Sequence, residues 1–330
     1  MARIALDASG GDFAPAQPVA GALEAVQNLP ANCEIVLVGS RSEIEAELAK
    51  HGRQPDRISI VDAPEKIGMD EKPLAAVRSK RKSSIVTGLQ LHRQGEVDAF
   101  ISAGNTGAVM AASTLLLGLH DGVERPAIGT VLPSMKEEIL LLDAGANVDC
   151  SPRELMGFAQ LGAVYVRDVF ERPDPVVGLL NIGEESEKGN AAAKEAYALL
   201  KTTTHFTFAG NIEGSDILVG RCDVVVCDGF VGNIVLKLIE SVARTFDGMF
   251  RTALDASIVD SEAMKEVFHF LDYSSYGGAP LLGVQGVTII CHGRSSSRAI
   301  ASALRVALRA VNVHLSDHIH DEFVEDGAVA

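Results

Sequence analysis

The chain has 330 residues, of which 47% are hydrophobic, so it is long enough for one large α/β domain or two interlocked ones. Its formal net charge of −15 argues against broad nucleic-acid binding, which requires a cationic face. No run approaches the roughly 18 apolar residues of a spanning helix, and the N-terminus lacks the apolar core of a secretory signal.

Short β-type runs alternate with amphipathic helical segments along nearly the whole chain. The predicted strands are 3–8, 34–39, 58–63, 98–103, 128–133, 138–144, 176–183, 205–211, 223–229 and 287–293. The predicted helices include 15–28, 41–51, 107–119, 153–170, 190–201 and 297–315. This alternation predicts βαβ crossovers and a largely parallel sheet, and the near-continuous Val/Ile/Leu strands indicate helices on both faces. We therefore predict an α/β fold, with 1–330 as a single catalytic domain.

A long helix is predicted from Val231 to about Leu254, followed by a second helix at roughly 260–272. Together they predict a projecting helical hairpin over 231–275. Its apolar face needs a partner and comprises Val235, Leu238, Ile239, Val242, Phe246, Met249 and Phe250. A dimer interface is the first interpretation, a membrane contact at the hairpin tip the second, and packing on the sheet the third. The acidic tail after about Ser316 is predicted to be loose.

The cysteines and histidines predict no metal site and no thiol nucleophile. Five cysteines, at 33, 150, 222, 227 and 291, form no CxxC pair, which indicates free thiols in a reducing cytoplasm. Cys291 precedes His292 on a strand, where adjacent side chains point to opposite faces. His314 and His318 have a spacing that can bind a metal, but their charged surroundings indicate a solvated tail.

Polar or glycine-rich turns follow strand after strand. They occur at 7–12, 102–106, 143–147, 181–185, 210–214, 228–233 and 292–296. Since the carboxyl ends of parallel strands share one edge, where ligands bind, we expect these turns to meet in one pocket. Glycines let the backbone approach a ligand, and helix N-termini offer N–H groups to an anion. The turns predict a phosphate or acyl-phosphate site without a GxGxxG or GxxxxGK[ST] motif.

Two turns and one basic segment give the best candidates for anion contacts. The sequence GNTGA at 104–108 offers backbone N–H groups and the Thr106 hydroxyl, although a tight strand–helix turn would look the same. Lys188 lies in a polar loop before a helix near Asn190, where the helix dipole is unfavourable to a cation. That placement fits a lysine near a phosphate or an oxyanion, or a surface lysine. Segment 66–82 is a solvated flank or a functional basic patch.

Several blocks of the chain closely resemble the bacterial acyl-[acyl carrier protein]:phosphate acyltransferase family, nearly end to end and in order. These blocks are DASGGDFAP (7–15), EKPLAAVRSKRKSS (71–84), SAGNTGA (102–108), RPAI (125–128), LLDAGANVDCSP (141–152), GLLNIGEESEKGN (178–190), GNIEG (210–214), CDGFVGN (227–233) and YGGAPLLGVQG (276–286). Departures from the family pattern are Ser9, Phe13, Lys82, Cys291 and Arg294.

The resemblance implies a reaction, a fold and partners. Inorganic phosphate would attack acyl-[acyl carrier protein], giving acyl phosphate and free carrier protein for phospholipid biosynthesis. A second, membrane enzyme would then acylate glycerol 3-phosphate. The implied fold is a three-layer α/β sandwich with a large, mostly parallel sheet, like isopropylmalate dehydrogenases and phosphate acetyltransferases. The family also implies a homodimer in the cytoplasm, loosely attached to the inner membrane face, with no metal and no cofactor.

The resemblance also implies a set of site residues. Lys188, Asp228 and Asn233 are the implied catalytic residues. The implied substrate-binding residues are Asp7, Gly10, Gly11, Asp12, Lys72, Arg78, Gly104, Asn105, Thr106, Asn147, Glu184, Asn190 and His292. Asn105, Thr106 and nearby N–H groups would hold phosphate, and Lys188 would neutralise phosphate or the oxyanion. Asp228 and Asn233 would orient these groups or the pantetheine arm, unless Asp228 only anchors its neighbours.

Other functions remain as alternatives from the sequence. One is a short-chain phosphate acyltransferase that uses coenzyme A thioesters. Another is a metal- and NAD-dependent decarboxylating dehydrogenase of similar fold, but the sequence shows no clear set of acidic ligands or cofactor loop for it. A non-catalytic adaptor that brings partners to a membrane would leave the polar strand ends unexplained.

Overall fold

The structure, a computed structural model, describes residues 1–52, 55–259, 261–262, 264 and 277–327. The chain divides into two compact units. Unit 1 comprises Met1–Pro126 and Gly277–Ala330, and unit 2 comprises Ala127–Tyr276. That 1–330 acts as one catalytic domain stays a prediction.

Strands and helices alternate through the described residues. The strands are β1 (Ala2–Asp7), β2 (Cys33–Gly39), β3 (Ile58–Asp62), β4 (Ala99–Ser102), β5 (Ala127–Ile128), β6 (Thr130–Leu132), β7 (Ile139–Leu142), β8 (Val176–Leu180), β9 (Thr207–Ile212), β10 (Val224–Val226), β11 (Ala279–Leu282) and β12 (Val287–Ile290). The helices are α1 (Ala16–Asn28), α2 (Arg41–Lys50), α3 (Pro73–Ser79), α4 (Ser84–Arg93), α5 (Thr106–Leu116), α6 (Pro152–Val169), α7 (Ala191–Leu200), α8 (Gly214–Ile217), α9 (Gly229–Ala253), α10 (Ala256–Val259), α11 (Ser297–Asn312) and α12 (Leu315–Gly327).

The sheet of unit 1 carries its strands in the order β3-β2-β1-β4-β12-β11. Its neighbouring strands run parallel except for β11, which is antiparallel to β12. Leu6 of β1 lies opposite Leu37 on one side and Ile101 on the other, and all three are fully buried. Because β1, β4 and β12 are parallel neighbours, the turns that follow them lie side by side at one edge.

The sheet of unit 2 has the order β6-β7-β10-β8-β9, with only β6 antiparallel to its neighbour. Its core includes Leu141 and Val225, and Val235 of α9 packs against that core. The helix α6 begins with a capping box between Ser151 and Glu154, as the Ser-Pro-x-Glu pattern predicts. The carboxyl ends of β7, β10, β8 and β9 therefore follow one another along a single edge.

The predicted α/β class with mostly parallel strands is confirmed, and the strands are shared between two sheets. The helices α3, α4, α8 and α10 and the strand β11 were not among the predicted elements. The interior of α4 contains Gly88, where a Cβ would overlap the ring of Phe100, so close packing requires a residue with low helix propensity. Strand β11 contains Pro280 and ends before Gly283, a composition typical of a turn.

Helix α9 confirms the predicted long helix, while the second helix predicted at 260–272 falls largely outside the described residues. Along α9, Val235, Leu236 and Ile239 pack on the core of unit 2. Exposed apolar side chains cover another part of its surface, including Leu238, Val242, Phe246 and Met249. Of the helices within the described ranges, none combines the length and apolar character needed to cross a membrane.

The prediction of a loose tail after Ser316 is wrong. Residues 315–327 form α12, which buries Leu315, Ile319 and Phe323. These residues recur every four positions and so share one helix face, which the surrounding acidic residues obscured in the sequence. A Cβ added to Gly122 would lie 3.4 Å from the Phe323 ring, so the helix packs closely on the loop that follows α5.

The packing of α12 predicts a stability difference between two adjacent positions. Phe323 is 6% exposed and Val324 is 45% exposed. We expect Phe323→Ser to lower the free energy of unfolding by about 3 kcal/mol, because it removes a buried ring, and Val324→Ser to change it by less than about 0.5 kcal/mol. Urea unfolding of both variants measures the difference. Equal stabilities would contradict the docking of α12 on unit 1.

Candidate functional site

A buried carboxylate organises the strand ends of unit 1. Asp7 ends β1 and is fully buried, and one of its oxygens accepts a 2.6 Å hydrogen bond from the hydroxyl of Ser102 at the end of β4. Its other oxygen accepts a 3.0 Å bond from the N–H of Ser9. Burial raises the pKa of Asp7, and hydrogen bonds from Ser102, Ser84 and nearby backbone N–H groups oppose that rise. This network ties the turns after β1 and β4 together.

The glycines of the 7–12 turn are required by close contacts. A Cβ on Gly10 would overlap the Asp7 carboxylate and lie 2.8 Å from the N–H of Gly104. Gly11 has a φ of +101°, a conformation that favours glycine. The next N–H, that of Asp12, donates a 2.7 Å bond to the carbonyl of Gly293, after β12. The turns after β1, β4 and β12 are thereby brought into contact.

The amide of Asn105 is fully engaged by its own unit. Its oxygen caps α5 by accepting a 3.0 Å bond from the N–H of Ala108. Its nitrogen donates to the carbonyls of Gly68, Met69 and Glu71 at 3.2, 2.9 and 3.1 Å. Asn105 is therefore built to fix the 68–71 turn. The groups at this helix start that are available to an anion are the first backbone N–H groups and the exposed Thr106 hydroxyl.

The predicted basic segment is mostly exposed. The ammonium of Lys80 is an exception, because it donates to the Glu71 carboxylate at 2.5 Å and to the Lys66 carbonyl at 2.8 Å. That pairing lowers the pKa of Glu71. The remaining cations of the segment point to solvent: Lys66, Lys72, Arg78, Arg81 and Lys82. Lys80 therefore closes the 66–71 connection, while its neighbours form a cationic surface.

Cys291 and His292 do not form a nucleophile pair. Burial raises the pKa of the Cys291 thiol to about 12, so it is protonated at neutral pH. His292 is exposed, and its Nδ1 accepts a 3.1 Å bond from the N–H of Arg294. The ring thus braces its own turn. Asp12 is also exposed and lies beside the turn that contains Gly293, because a Cβ on Gly293 would be 3.3 Å from an Asp12 carboxylate oxygen.

A second buried carboxylate organises the strand ends of unit 2. Asp143 follows β7, and its first oxygen accepts bonds of 3.0–3.1 Å from the N–H groups of Ile128, Gly145 and Ala146. Its second oxygen accepts bonds of 2.6 and 3.0 Å from the backbone and side chain of Asn147. Burial raises the pKa of Asp143, and the backbone N–H bonds oppose the rise. The carboxylate thereby shapes the whole 143–147 turn.

The start of α9 rests on this turn. The N–H of Gly229 donates a 2.7 Å bond to the Asn147 carbonyl, and a Cβ on Gly229 would press on the Asp143 carboxylate. Asp228 caps the helix by accepting a 2.8 Å bond from the N–H of Val231. Its negative charge repels an anion from this helix end. Asn233 is exposed near Gly145, where an added Cβ would lie 3.4 Å from the Asn233 Cβ.

Lys188 lies in a loop whose backbone is held on both sides. Its N–H donates to the Glu185 carbonyl at 3.1 Å, and its own carbonyl accepts a 3.2 Å bond from the Asn181 amide. The Asn211 amide in turn holds the Glu185 carbonyl at 2.8 Å. The ammonium is 3.8 Å from the Glu185 carboxylate, with 45% of the side chain exposed. The backbone is thus fixed while the charge can reach a ligand.

Two further predicted residues of unit 2 have structural partners. Glu184 forms an ion pair with Arg221, which also lies 3.3 Å from Asp216. The Glu184 hydrogen bond raises the pKa of Arg221. Asn190 caps α7 by accepting a 2.9 Å bond from the N–H of Ala193. Both residues therefore fix the loop around Lys188.

The described residues offer neither a metal site nor a reactive thiol. No group of three or more His, Cys, Asp or Glu side chains there is arranged to hold a metal ion. The five cysteines are all buried, and burial raises the pKa of Cys150 and Cys222 to about 12.

The structure sorts the predicted site residues into groups. In unit 1, one edge of the sheet gathers Asp7, Gly10, Gly11, Asp12, Gly104, Asn105, Thr106 and His292, with Lys72 and Arg78 on the adjacent basic segment. In unit 2, Asn147, Asp228 and Asn233 lie at the ends of β7 and β10, and Glu184, Lys188 and Asn190 lie after β8. Ser102, Asp143, Asn181 and Asn211 were not among the predicted site residues. The feature that could have identified them in the sequence is their position at the ends of predicted strands.

Comparisons with known proteins match the whole chain. A model of the family described as fatty acid synthesis protein matches residues 2–317. A phosphate acyltransferase from Desulforamulus reducens is 47% identical over 336 residues, covering 100% of this chain and 99% of its own. One from Heliobacterium modesticaldum is 48% identical over 318 residues, covering 94% of each chain. A solved phosphotransacetylase from Streptococcus pyogenes shares the fold, with a TM-score of 0.63 at 16% identity over 94% of each chain.

The two buried carboxylates predict different responses to amide substitution. In Asp143→Asn the new NH2 group must face N–H donors, so buried donors lose their acceptor. We expect a loss of about 3 kcal/mol in unfolding free energy. In Asp7→Asn the Ser102 hydroxyl can rotate and accept from the new amide, so we expect a loss of about 1 kcal/mol or less. Urea unfolding at pH 7 measures both, and equal losses would contradict this account.

Proposed function

The chain belongs to the fatty acid synthesis protein family, and from that membership we propose that it is a phosphate acyltransferase whose donor is acyl-[acyl carrier protein]. An oxygen of inorganic phosphate attacks the thioester carbonyl carbon, and the carbon–sulfur bond breaks. The products are acyl phosphate and the free thiol of the carrier protein. The observation that carries this proposal is 47% identity to a phosphate acyltransferase along the entire chain.

The chemistry makes modest demands on general base catalysis. Phosphate is already an anion at pH 7, so the enzyme must mainly hold it against the carbonyl and stabilise the tetrahedral oxyanion. Positioning can contribute about 7–11 kcal/mol to lowering the barrier, and an oxyanion donor about 3 kcal/mol. Fixed turns with unpaired backbone N–H groups are suited to both tasks.

We propose that the start of α5 binds phosphate. The first N–H groups of the helix and the Thr106 hydroxyl are the donors, and the helix dipole favours the anion. Asn105 acts as a positioning residue, because its amide is committed to the 68–71 turn and to the cap of α5. Asp7 likewise holds the 7–12 turn through its buried hydrogen bonds.

We propose that Lys188 neutralises phosphate or the developing oxyanion. Its backbone is held from both sides, and its ammonium lies 3.8 Å from the Glu185 carboxylate with 45% of the side chain exposed. Asn233 offers an exposed amide that can bind the amide groups of a pantetheine arm. Asp228, which caps α9, is proposed to keep that helix start in place.

The basic segment supports an acidic carrier protein as donor. Lys72, Arg78, Arg81 and Lys82 are exposed on a protein with a net charge of −15. Such a local cationic surface attracts an acidic partner and accelerates association. We propose that the carrier protein docks there, and that coenzyme A thioesters are the alternative donors.

The proposed cellular setting follows from the same family. The acyl phosphate would be passed to a membrane enzyme that acylates glycerol 3-phosphate in phospholipid biosynthesis. We propose a homodimer through the exposed face of α9 that includes Val242, Phe246 and Met249, because large exposed apolar surfaces mark interaction sites. A cytoplasmic location, with a peripheral contact to the inner membrane face through the 231–275 segment, completes the proposal.

The role of Lys188 is tested by removing its charge. We expect Lys188→Ala to lower kcat for acyl phosphate formation about 100- to 1,000-fold, with unchanged unfolding, because a charge stabilises the transition state. Lys194→Ala, in the first turn of α7 nearby, is the matched control and should retain activity. Near-normal turnover by Lys188→Ala would remove this lysine from the mechanism.

Carrier docking is tested by comparing two donors. The triple variant Lys66→Ala, Arg81→Ala, Lys82→Ala spares Lys80, which holds the backbone, and should lower kcat/KM for acyl-[acyl carrier protein] about 10-fold at low salt. Its kcat/KM for the same acyl group on pantetheine, an uncharged donor, should be unchanged. The difference should shrink at high salt.

The matched control carries three other exposed cations: Lys136→Ala, Arg153→Ala and Lys201→Ala. It should leave both donors unaffected. An equal loss with both donors in the basic-segment variant would contradict docking at this surface.

The dimer is tested on the exposed face of α9. Val242→Asp together with Phe246→Asp should convert the protein to a monomer in sedimentation velocity experiments, because a buried charge at an apolar interface is costly. Met135→Asp, at another exposed apolar position, is the control and should leave the oligomeric state unchanged. A dimer that survives the double substitution would contradict this interface.

A further inference from the structure

Large apolar side chains are exposed at the start of α9. Phe230 is 59% exposed, Ile234 52% and Leu238 61%, and they recur every four residues along the helix. Val148, in the chain that leaves the 143–147 turn, is 59% exposed. These four residues form the apolar strip. Exposed apolar surface of this kind is uncommon on a protein unless it binds something.

The strip is continuous with polar groups of the candidate site. Asp228 caps the turn that presents Phe230, and Asn233 immediately precedes Ile234. The 2.7 Å bond from Gly229 to Asn147 joins the residues that precede Phe230 and Val148. A polar strand end therefore continues into an apolar surface. A ligand that matches both has a polar head and an apolar tail.

We propose that the fatty acyl chain of the thioester donor lies on the apolar strip, so that Phe230 and Ile234 determine acyl-chain preference. This inference rests on the proposed function and adds the place of the chain to it. From Phe230 to Leu238 the helix rises by about 12 Å, enough to contact a long acyl chain and more than a short one reaches. Long chains therefore gain binding that short chains do not.

The strip differs from the rest of the apolar surface of α9. Val235, Leu236 and Ile239 face the core of unit 2 and are packed against it. Val242 and Met249 lie one to three turns beyond the strip, away from the polar strand ends. Only the first turns of α9 place apolar side chains beside Asp228 and Asn233. A second copy of the chain is the competing occupant of the strip.

The test measures kcat/KM for acyl donors of 4, 8, 12 and 16 carbons. In the double variant Phe230→Ala, Ile234→Ala, kcat/KM for the 16-carbon donor should fall about 10- to 100-fold, and that for the 4-carbon donor should stay within 2-fold. Both side chains are largely exposed, so truncation should leave the fold intact. Leu115→Ala, at an exposed apolar position in unit 1, is the control and should keep the wild-type chain-length profile.

A second variant tests the apolar strip by adding a charge to it. Ile234→Asp should discriminate against long chains more strongly than the alanine variant, since it places a charge beside the apolar tail. Sedimentation velocity is run on every variant.

An equal fall at all chain lengths, or an unchanged profile, would overturn the proposal. Dissociation to monomers with loss at every length would assign the strip to a second copy instead, and would also overturn it. If the wild-type protein makes no acyl phosphate from any donor, the proposed function fails. A wild-type enzyme active on all lengths with an unaltered variant profile rejects the strip alone.

Discussion

Two carboxylates that are buried at strand ends each hold the turns of their own unit in shape. Asp143 accepts five hydrogen bonds within unit 2, and Asp7 joins the ends of β1 and β4 within unit 1. Burying a carboxylate is unfavourable, as the raised pKa of each group indicates, and the cost is offset only when the surrounding donors stay in place. The turns are therefore fixed by the same bonds that stabilise the charges.

The remaining polar residues divide into those that hold the backbone and those that face solvent. The side-chain amides of Asn105, Asn181 and Asn211 donate hydrogen bonds to backbone carbonyls of neighbouring turns. Thr106 in unit 1, and Lys188 and Asn233 in unit 2, keep exposed polar groups on turns that are fixed within their own unit. Such a division suits a reaction whose main requirements are positioning and charge stabilisation, because turns fixed within each unit hold their own donors in place before substrate binds.

The strands and the polar turns that follow them could be predicted from the sequence, because an apolar run that stops at polar residues and glycines is a clear pattern in a parallel α/β chain. The roles within the turns did not follow, since Asn105 and Thr106 look alike as donors until the partners of Asn105 are seen. Similarly, Lys80 and Arg81 are equivalent in a charge pattern, yet only Lys80 is bonded to Glu71. Helix α12 was missed because its three buried residues are separated by acidic ones. In each of these cases the role of the residue or helix depends on contacts with residues that are distant in the sequence.

The Asn105 side chain has a consequence for how functional screens of this protein should be interpreted. One amide group joins a helix start to a connection more than thirty residues earlier in the chain, so its loss would disorder two loops at once. An inactive variant at this position would resemble the loss of a ligand-contacting group in any assay that reports only turnover. Distinguishing a displaced scaffold from a missing contact therefore requires a physical probe of the loop itself, such as its protection from proteases.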